Sequence, residues 1–252
     1  VSGLSQWARE LDLATVTALS LAFNFALTGA CVVAGGWLAR RSAVPTVSPP
    51  VTRFEVGLAV VTTVLNAGVA VAGWWLWRHG ILRLEGFTGP GVLVELVGFT
   101  LVMDAAMYVG HAAAHHRTVY ALVHRLHHRF DDPRPLTLFA LHPLEVLGFG
   151  GMWLAVLSLW TISGWALAGY VVLNAAFGTL GHLGVEPLPA RLRRGWLFRW
   201  VATPSFHAGH HADGRVNLGF YTTIWDRLFG TIDPTYDETR RAPTPAVLTT
   251  RP

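Results

Sequence analysis

Long apolar stretches set the rhythm of the first half of the chain, and polar connectors punctuate them. The first stretch covers residues 13–38, holds no charge and closes on Arg40 and Arg41. A membrane-spanning helix needs about 20 mostly apolar residues, so this run predicts one. Neither a basic leader nor a small-residue cleavage site precedes it, which reads as a retained helix rather than a signal peptide. A proline-rich connector follows, with Pro45, Pro49 and Pro50. The second stretch, residues 56–77, ends in Trp74, Trp75 and Trp77, an aromatic cluster suited to a bilayer interface. The third, residues 91–110, encloses Glu95 and Asp104 and leads into a polar, basic segment over 116–141. Residues 143–183 are again apolar, broken near Ser163 and Gly164, which predicts a hairpin of two helices entering and leaving on one side. After Glu186 the chain is polar, basic and turn-rich.

This pattern predicts an all-α fold: an integral-membrane helical bundle of about four to five membrane helices, including the hairpin, with a cytosolic histidine-rich cap. It divides the chain into N-terminal membrane helices and connectors (1–90), a histidine-rich unit (91–232) and a flexible C-terminal tail (233–252). Composition supports the bilayer: only 13% of residues are charged, against about 25% in an ordinary soluble domain. The net charge of +4 comes from arginine alone, as the chain has no lysine. Its arginines are scattered between apolar segments, which fits membrane-flanking loops and argues against nucleic-acid binding. Together with abundant Ala, Gly, Val and Pro, the bias points to a GC-rich bacterial source and hence an inner membrane.

Charge also gives the sidedness. With the histidine-rich face cytoplasmic, Arg40, Arg41, Arg53, Arg117, Arg125, Arg129, Arg134, Arg191, Arg193, Arg194 and Arg199 fall inside. Arg9, Arg78 and Arg83 fall outside, a strong positive-inside bias. The single cysteine, Cys31, lies in an apolar run and excludes both an intrachain disulfide and a cysteine-based metal site.

Histidine is where chemistry enters. Of 12 histidines, all but His79 lie between His111 and His211. The first cluster is His111-Ala-Ala-Ala-His115, with His116 adjacent. Asp104, Tyr108, His111 and His115 follow a helical stripe that runs off the third apolar segment. The second cluster, His124-Arg-Leu-His127-His128, and the third, His207-Ala-Gly-His210-His211, share one spacing, which places each set on one helical face. Neutral imidazole is the commonest metal ligand. Iron and zinc both accept it. Eight such rings exceed what one ion can use, so two ions are the economical count.

The order Asp104, Tyr108, His111-x3-His115, His124-x2-His127-His128, His142-Pro-x-Glu145, Gly181-His182, His207-x2-His210-His211, Asn217-x-Gly219 and Trp225-Asp226-Arg227-Leu228-Phe229-Gly230-Thr231 resembles the fatty acid hydroxylase superfamily. That superfamily includes sterol desaturases, C-4 methyl sterol oxidases and sphingolipid hydroxylases. The resemblance implies a non-heme di-iron centre, with zinc as an occasional substitute in purified members, and molecular oxygen as co-substrate. It also implies a lipid-like substrate (fatty acyl, sterol or isoprenoid) hydroxylated or desaturated at an unactivated C–H bond. Electrons would come from a separate donor, a ferredoxin or a cytochrome b5-like protein with its reductase. Carried over residue by residue, the metal ligands are His111, His115, His124, His127, His128, His142, His182, His207, His210 and His211, which would serve two ions at five each. Ala112 stands where the first box usually has arginine, and Leu218 replaces a common aromatic; both leave the ligands intact and the substrate branch open.

The remaining polar residues take supporting parts. Asp104, inside an apolar segment, is expected to accept a hydrogen bond from a ligating histidine. Tyr108, Glu145, Glu186 and Asn217 are expected to hold or orient ligands, with direct ligation by either glutamate the lesser alternative. His79 reads as an interfacial loop residue, and His116 as a surface or supporting one. The 191–199 segment, with Trp196, Phe198 and Trp200 beside its arginines, reads as an amphipathic interfacial helix. Residues 225–231 are expected to pack the cap on the bilayer with Asp226 and Arg227 paired. Two rivals come from other classes. A membrane metal-binding or transport protein would need ligands on a path across the bilayer, whereas these cluster past one end of the helices. A di-heme carrier would need paired histidines within facing helices.

Overall fold

The computed structural model describes residues 2–42, 50–85 and 89–241. Pro45, Pro49 and residues 242–252 of the expected tail lie outside the described residues. Among the described residues, four helices are long and apolar enough to cross a membrane. They are α2 (Leu13–Arg40), α3 (Arg53–Arg78), α4 (Gly91–Ala114) and α7 (Gly164–Gly181). The shorter apolar helix α6 (Pro143–Leu159) forms the first arm of the expected hairpin. A short helix, α1 (Ser2–Glu10), precedes them and had no counterpart in the hydropathy pattern.

The boundaries follow local chemistry. Asp12, Thr52 and Ser163 each cap a helix by accepting a hydrogen bond from a backbone N–H three residues on. Glu95 accepts from the backbone N–H of Ser163 at 3.0 Å, so this acid at the start of α4 holds the turn of the α6–α7 hairpin. At the same end, the Trp74 indole donates to the Ala8 carbonyl at 2.9 Å, and Arg9 lies over the Trp77 ring at 4.9 Å. The tryptophan cluster thus fastens α1 to α3.

The bundle packs as α2 on α3, α3 on α6, and α4 on both α6 and α7, with α2 also touching α7. Phe99, Met103, Leu157, Ala166 and Tyr170 form its core. Side chains such as Val94 (68% exposed), Val109 (64%) and Leu159 (89%) point outward from the same helices. In a soluble protein so many exposed apolar residues would be a liability; against lipid they cost nothing. Between the helices lies a cavity of about 290 Å³ with a mostly apolar lining.

The remaining short helices gather at the histidine-side ends of these long ones. Here sit α5 (Arg117–Leu122), α8 (Ala190–Arg193), α9 (Pro204–Ala212), α10 (Ile224–Phe229) and α11 (Tyr236–Arg241), with a 3₁₀ turn over His124–Arg129. One sequence expectation is corrected. The 191–199 segment is not one helix: α8 ends at Arg193, and Leu197–Arg199 is a separate 3₁₀ turn. Arg193 is buried, donating to the Leu188 and Arg240 carbonyls, while Trp196 stays 75% exposed. Within the segment expected to be a tail, Tyr236–Arg241 forms α11, whose Tyr236 and Arg240 are buried, with the helix packed on α8 and α9.

Glu55, fully buried in the first turn of α3, ties the bundle to the cap through the Arg134 guanidinium, whose Nε donates to Oε1 at 2.8 Å and whose Nη2 bonds Oε2. Removing one partner strands the other, which costs about 3 kcal/mol or more for a buried pair. Glu55→Ala is therefore expected to lower the thermal unfolding midpoint of the detergent-solubilised protein by several degrees. An unchanged midpoint would contradict the strap.

Candidate metal centre

Helix α4 delivers the first two rings. Asp104, Tyr108 and His111 are buried along the expected stripe, and His115 caps the helix. The 3₁₀ turn brings His124, His127 and His128, the end of α7 brings His182, and α9 brings His207, His210 and His211. These nine rings fall into two groups. One holds His111, His115, His124, His128 and His210; the other holds His127, His182, His207 and His211. Within each group the ligand nitrogens all lie within 4.8 Å of one another. The HxxHH boxes are therefore each divided: the first and last histidines serve one group, and the middle one serves the other. A shared face was expected; a shared site does not follow from it.

The protons of several rings are already assigned by their other nitrogen. His111 Nδ1–H donates to the Leu218 carbonyl at 2.8 Å, and His210 Nδ1–H to the Val216 carbonyl at 2.9 Å. His182 Nδ1–H donates to the Gly178 carbonyl at 2.9 Å, and His124 Nδ1 bonds Glu145 Oε1 at 2.7 Å. A neutral ring that donates through Nδ1 has a bare Nε2. His111 Nε2 and His124 Nε2 face each other at 3.2 Å. His210 Nε2 meets those of His115 and His128 at 3.1 Å each. In the second group His182 Nε2 meets that of His207 at 3.2 Å and that of His127 at 3.5 Å. His211 Nε2 lies 3.2 Å from that of His207. A ring nitrogen carries one proton or one lone pair, so His210 Nε2 and His207 Nε2, each facing two others, cannot satisfy both by hydrogen bonding, whereas a cation between them would. Around an ion with metal–nitrogen bonds of about 2.0–2.1 Å, adjacent ligand atoms stand roughly 3.0–3.4 Å apart. The donor set fits two ions of the imidazole-binding kind.

Backbone carbonyls that no side-chain pattern reveals orient three of the rings, and a polar clamp holds two of those carbonyls, Val216 and Leu218. Asp226 accepts from the backbone N–H groups of Leu218 (2.7 Å) and Gly219 (2.8 Å) and from the Thr231 hydroxyl (2.7 Å). A Cβ on Gly219 would come within 2.6 Å of Asp226 Oδ2, so only glycine fits. Asn217 adopts φ 54°, a left-handed conformation that asparagine tolerates. Its amide donates to the Phe206 carbonyl at 3.0 Å, and its Oδ1 accepts from the Asp233 N–H at 2.8 Å. Asn217 thus secures the loop to α9 as a supporting residue, without touching a histidine.

Among the expected supporting residues, Glu145 alone contacts a ring of the two groups directly. Asp104 does not accept from a histidine. It holds the loop after Leu218, accepting from the N–H groups of Tyr221 (3.0 Å) and Thr222 (3.2 Å) and from the Trp225 indole (3.0 Å). Tyr108 bonds the Thr231 hydroxyl at 3.0 Å and stacks on Phe229. Glu186 bonds Ser205 at the start of α9 (2.9 Å to its hydroxyl). Arg227 pairs with Asp237 at 2.8 Å rather than with Asp226. His142 stands outside both groups: its Nδ1 accepts from the Leu144 N–H at 3.2 Å and caps α6. Ten gathered rings thus become nine. His116 is exposed, and His79 stacks on Trp75 at the far end.

The family profile described as "Fatty acid hydroxylase" matches residues 96–231. The chain belongs to the fatty acid hydroxylase family. Similar proteins include "Very-long-chain aldehyde decarbonylase GL1-4" of Oryza sativa subsp. indica, 25% identical over 69% of this chain and 29% of that protein. "Very-long-chain aldehyde decarbonylase CER1" of Arabidopsis thaliana is 30% identical over 62% of this chain and 26% of its own length. "Methylsterol monooxygenase 1" of Danio rerio is 31% identical over 56% and 48% respectively. The chain therefore matches less than half the length of each of these relatives. No solved structure matches it. Membership accounts for the order of the histidine boxes, and the matched region contains all nine gathered rings.

Burial, reinforced by neighbouring imidazoles, holds the rings of this family site neutral. His115 is pushed down to about 3, His128 and His182 to about 4, and His127, His207, His210 and His211 well below the usual value of 6.5. An unfolded chain takes up protons below about 6.5 while the folded one resists them to about 4, so acid favours unfolding across that window. The chelator-treated protein is expected to lose thermal stability steadily from pH 6.5 to 4, and a metal-loaded sample to release its metal as the pH is lowered. A flat stability profile would contradict the neutral cluster.

Proposed function

We propose that this family member is a membrane-bound non-heme di-iron oxygenase that hydroxylates or desaturates an unactivated C–H bond of a lipid-like substrate. The observation that carries the reading is the convergence of nine ring nitrogens into two groups, in which His210 Nε2 and His207 Nε2 each face two others at 3.1–3.2 Å. In this reading His111, His115, His124, His128 and His210 hold one ion, and His127, His182, His207 and His211 hold the other. Iron so held supplies the activation of molecular oxygen, with electrons from a separate ferredoxin or cytochrome b5-like donor; zinc is a substitute in purified protein.

The chain's own groups do the rest. The carbonyls of Gly178, Val216 and Leu218 and the carboxylate of Glu145 fix four rings with Nε2 inward, so the site needs little rearrangement to bind metal. Burial keeps bulk water from the centre. The apolar cavity between α2, α3, α4, α6 and α7 offers a lipid chain a place in reach of the bilayer. Its lining includes Met107, one helical turn before His111, and Val146, next to Glu145. Acyl aldehydes and methylsterols, named in the relatives, are the substrate types to try first. The arginine bias supports a cytoplasmic histidine-rich face in a bacterial inner membrane.

Anaerobic purification followed by iron reconstitution is expected to give two irons per chain. His127→Ala and His211→Ala should each lose metal and activity, whereas His142→Ala should keep both irons. One iron or none in the reconstituted protein would overturn the dinuclear reading.

A further inference from the structure

The cavity is not uniformly apolar, and its polar atoms fall into two kinds. Asn24 donates to the Ser20 carbonyl of its own helix at 2.9 Å, and the Thr28 hydroxyl pairs with that of Thr63 at 3.0 Å. These are satisfied. Thr62 and Trp153 are not: Thr62 Oγ1 and Trp153 Nε1 are buried with no hydrogen-bond partner among the described residues. The contrast with neighbours is specific. Thr63, Thr100 and Thr179 each donate to the carbonyl four residues back at 2.7 Å, the usual resort of a helical threonine in lipid. Thr62 is 1% exposed and makes no such bond. The indoles of Trp74 and Trp225 each find an acceptor. A buried polar group without a partner costs about 1–3 kcal/mol.

Both residues face the same cavity from packed helices. Thr62 lies nine residues into α3 from Arg53, and Trp153 ten residues into α6 from Pro143. At about 1.5 Å per residue, both sit roughly 14 Å from the histidine-side ends. The lining also reaches Met107, one turn from His111. No arginine, histidine, aspartate or glutamate lines it, so nothing there compensates an ionised headgroup.

From this we infer that the cavity is a binding site for a neutral lipid bearing an uncharged oxygen, a hydroxyl or a carbonyl, which accepts from Trp153 Nε1–H and bonds the Thr62 hydroxyl deep between the helices. The reacting carbon lies elsewhere on the same molecule, toward Met107. The site selects against both free carboxylates and plain hydrocarbons: the former would bury an unpaired charge, and the latter would leave the two donors unmatched. This deepens the oxygenase reading and rests on it for the claim that the ligand is substrate. The binding itself does not depend on metal.

The test is equilibrium binding of radiolabelled dodecanol, dodecane and dodecanoate to the full chain in lipid nanodiscs, corrected for uptake by empty discs. Dodecanol is expected to bind about tenfold more tightly than either of the others. Thr62→Val and Trp153→Phe should each reduce dodecanol binding about fivefold while leaving dodecane binding unchanged or tighter. Equal binding of the three probes, preference for dodecanoate, or variants that weaken dodecanol and dodecane alike would overturn the inference. If either variant fails to fold, the three-probe comparison on the unaltered chain still decides. Iron content measured on the same preparation separates the two readings: two irons without an alcohol preference refutes only this site, and an alcohol preference without two irons refutes only the dinuclear centre.

Discussion

Converging imidazole nitrogens are the constraint on which the rest of this structure turns. Nine rings are crowded into two groups, and three have their Nδ1 proton committed to a backbone carbonyl. The rings cannot all relieve one another by hydrogen bonding, because His210 Nε2 and His207 Nε2 each face two other ring nitrogens and one nitrogen carries only one proton or one lone pair. Nor can they protonate cheaply, because burial and neighbouring rings press their pKa values down. Cations at the two foci would relieve this crowding, and metal affinity would then be coupled to cap stability.

Such a centre must be held rigidly, and the hydrogen-bond pattern shows where the rigidity comes from. The loop over 216–222 lies between two buried carboxylates. Asp226 holds its N–H groups from the cap side, and Asp104 holds them from the α4 side. Asn217 pins the same loop to α9. With those anchors made, the Val216 and Leu218 carbonyls are fixed, and through them His210 and His111. The acid inside the third apolar segment therefore orients ligands at one remove, through backbone. Glu95, the other acid in that segment, serves the opposite end by holding the hairpin turn.

Below this clamp the bundle changes character. Its outer surface is lipid-facing, while its interior holds a cavity whose wall includes two donors that the protein does not satisfy. The cap and the cavity thus present complementary incompletenesses, one calling for cations and the other for a hydrogen-bond acceptor. A membrane oxygenase that draws its substrate from lipid needs both: a centre fixed before substrate arrives, and a way to hold one carbon of a featureless chain in register with it.

What the sequence determined by itself is what depends on local spacing. Apolar run length marked α2, α3, α4 and the α6–α7 hairpin, and the gap between histidines marked the three boxes, because helix rise and pitch are properties of neighbouring residues. The short α1, capped onto Trp74, and the ordered α11, buried through Tyr236 and Arg240, left no such signature, since their stability comes from distant partners. Only the tertiary structure decided how each HxxHH box is shared between two groups, that His142 caps a helix instead of joining them, and that Asp226 bonds Leu218 and Gly219 rather than Arg227. The physical reason is the same in each case. Those outcomes depend on backbone carbonyls and N–H groups brought together from remote segments, and every residue carries them, so no residue type announces where they will meet.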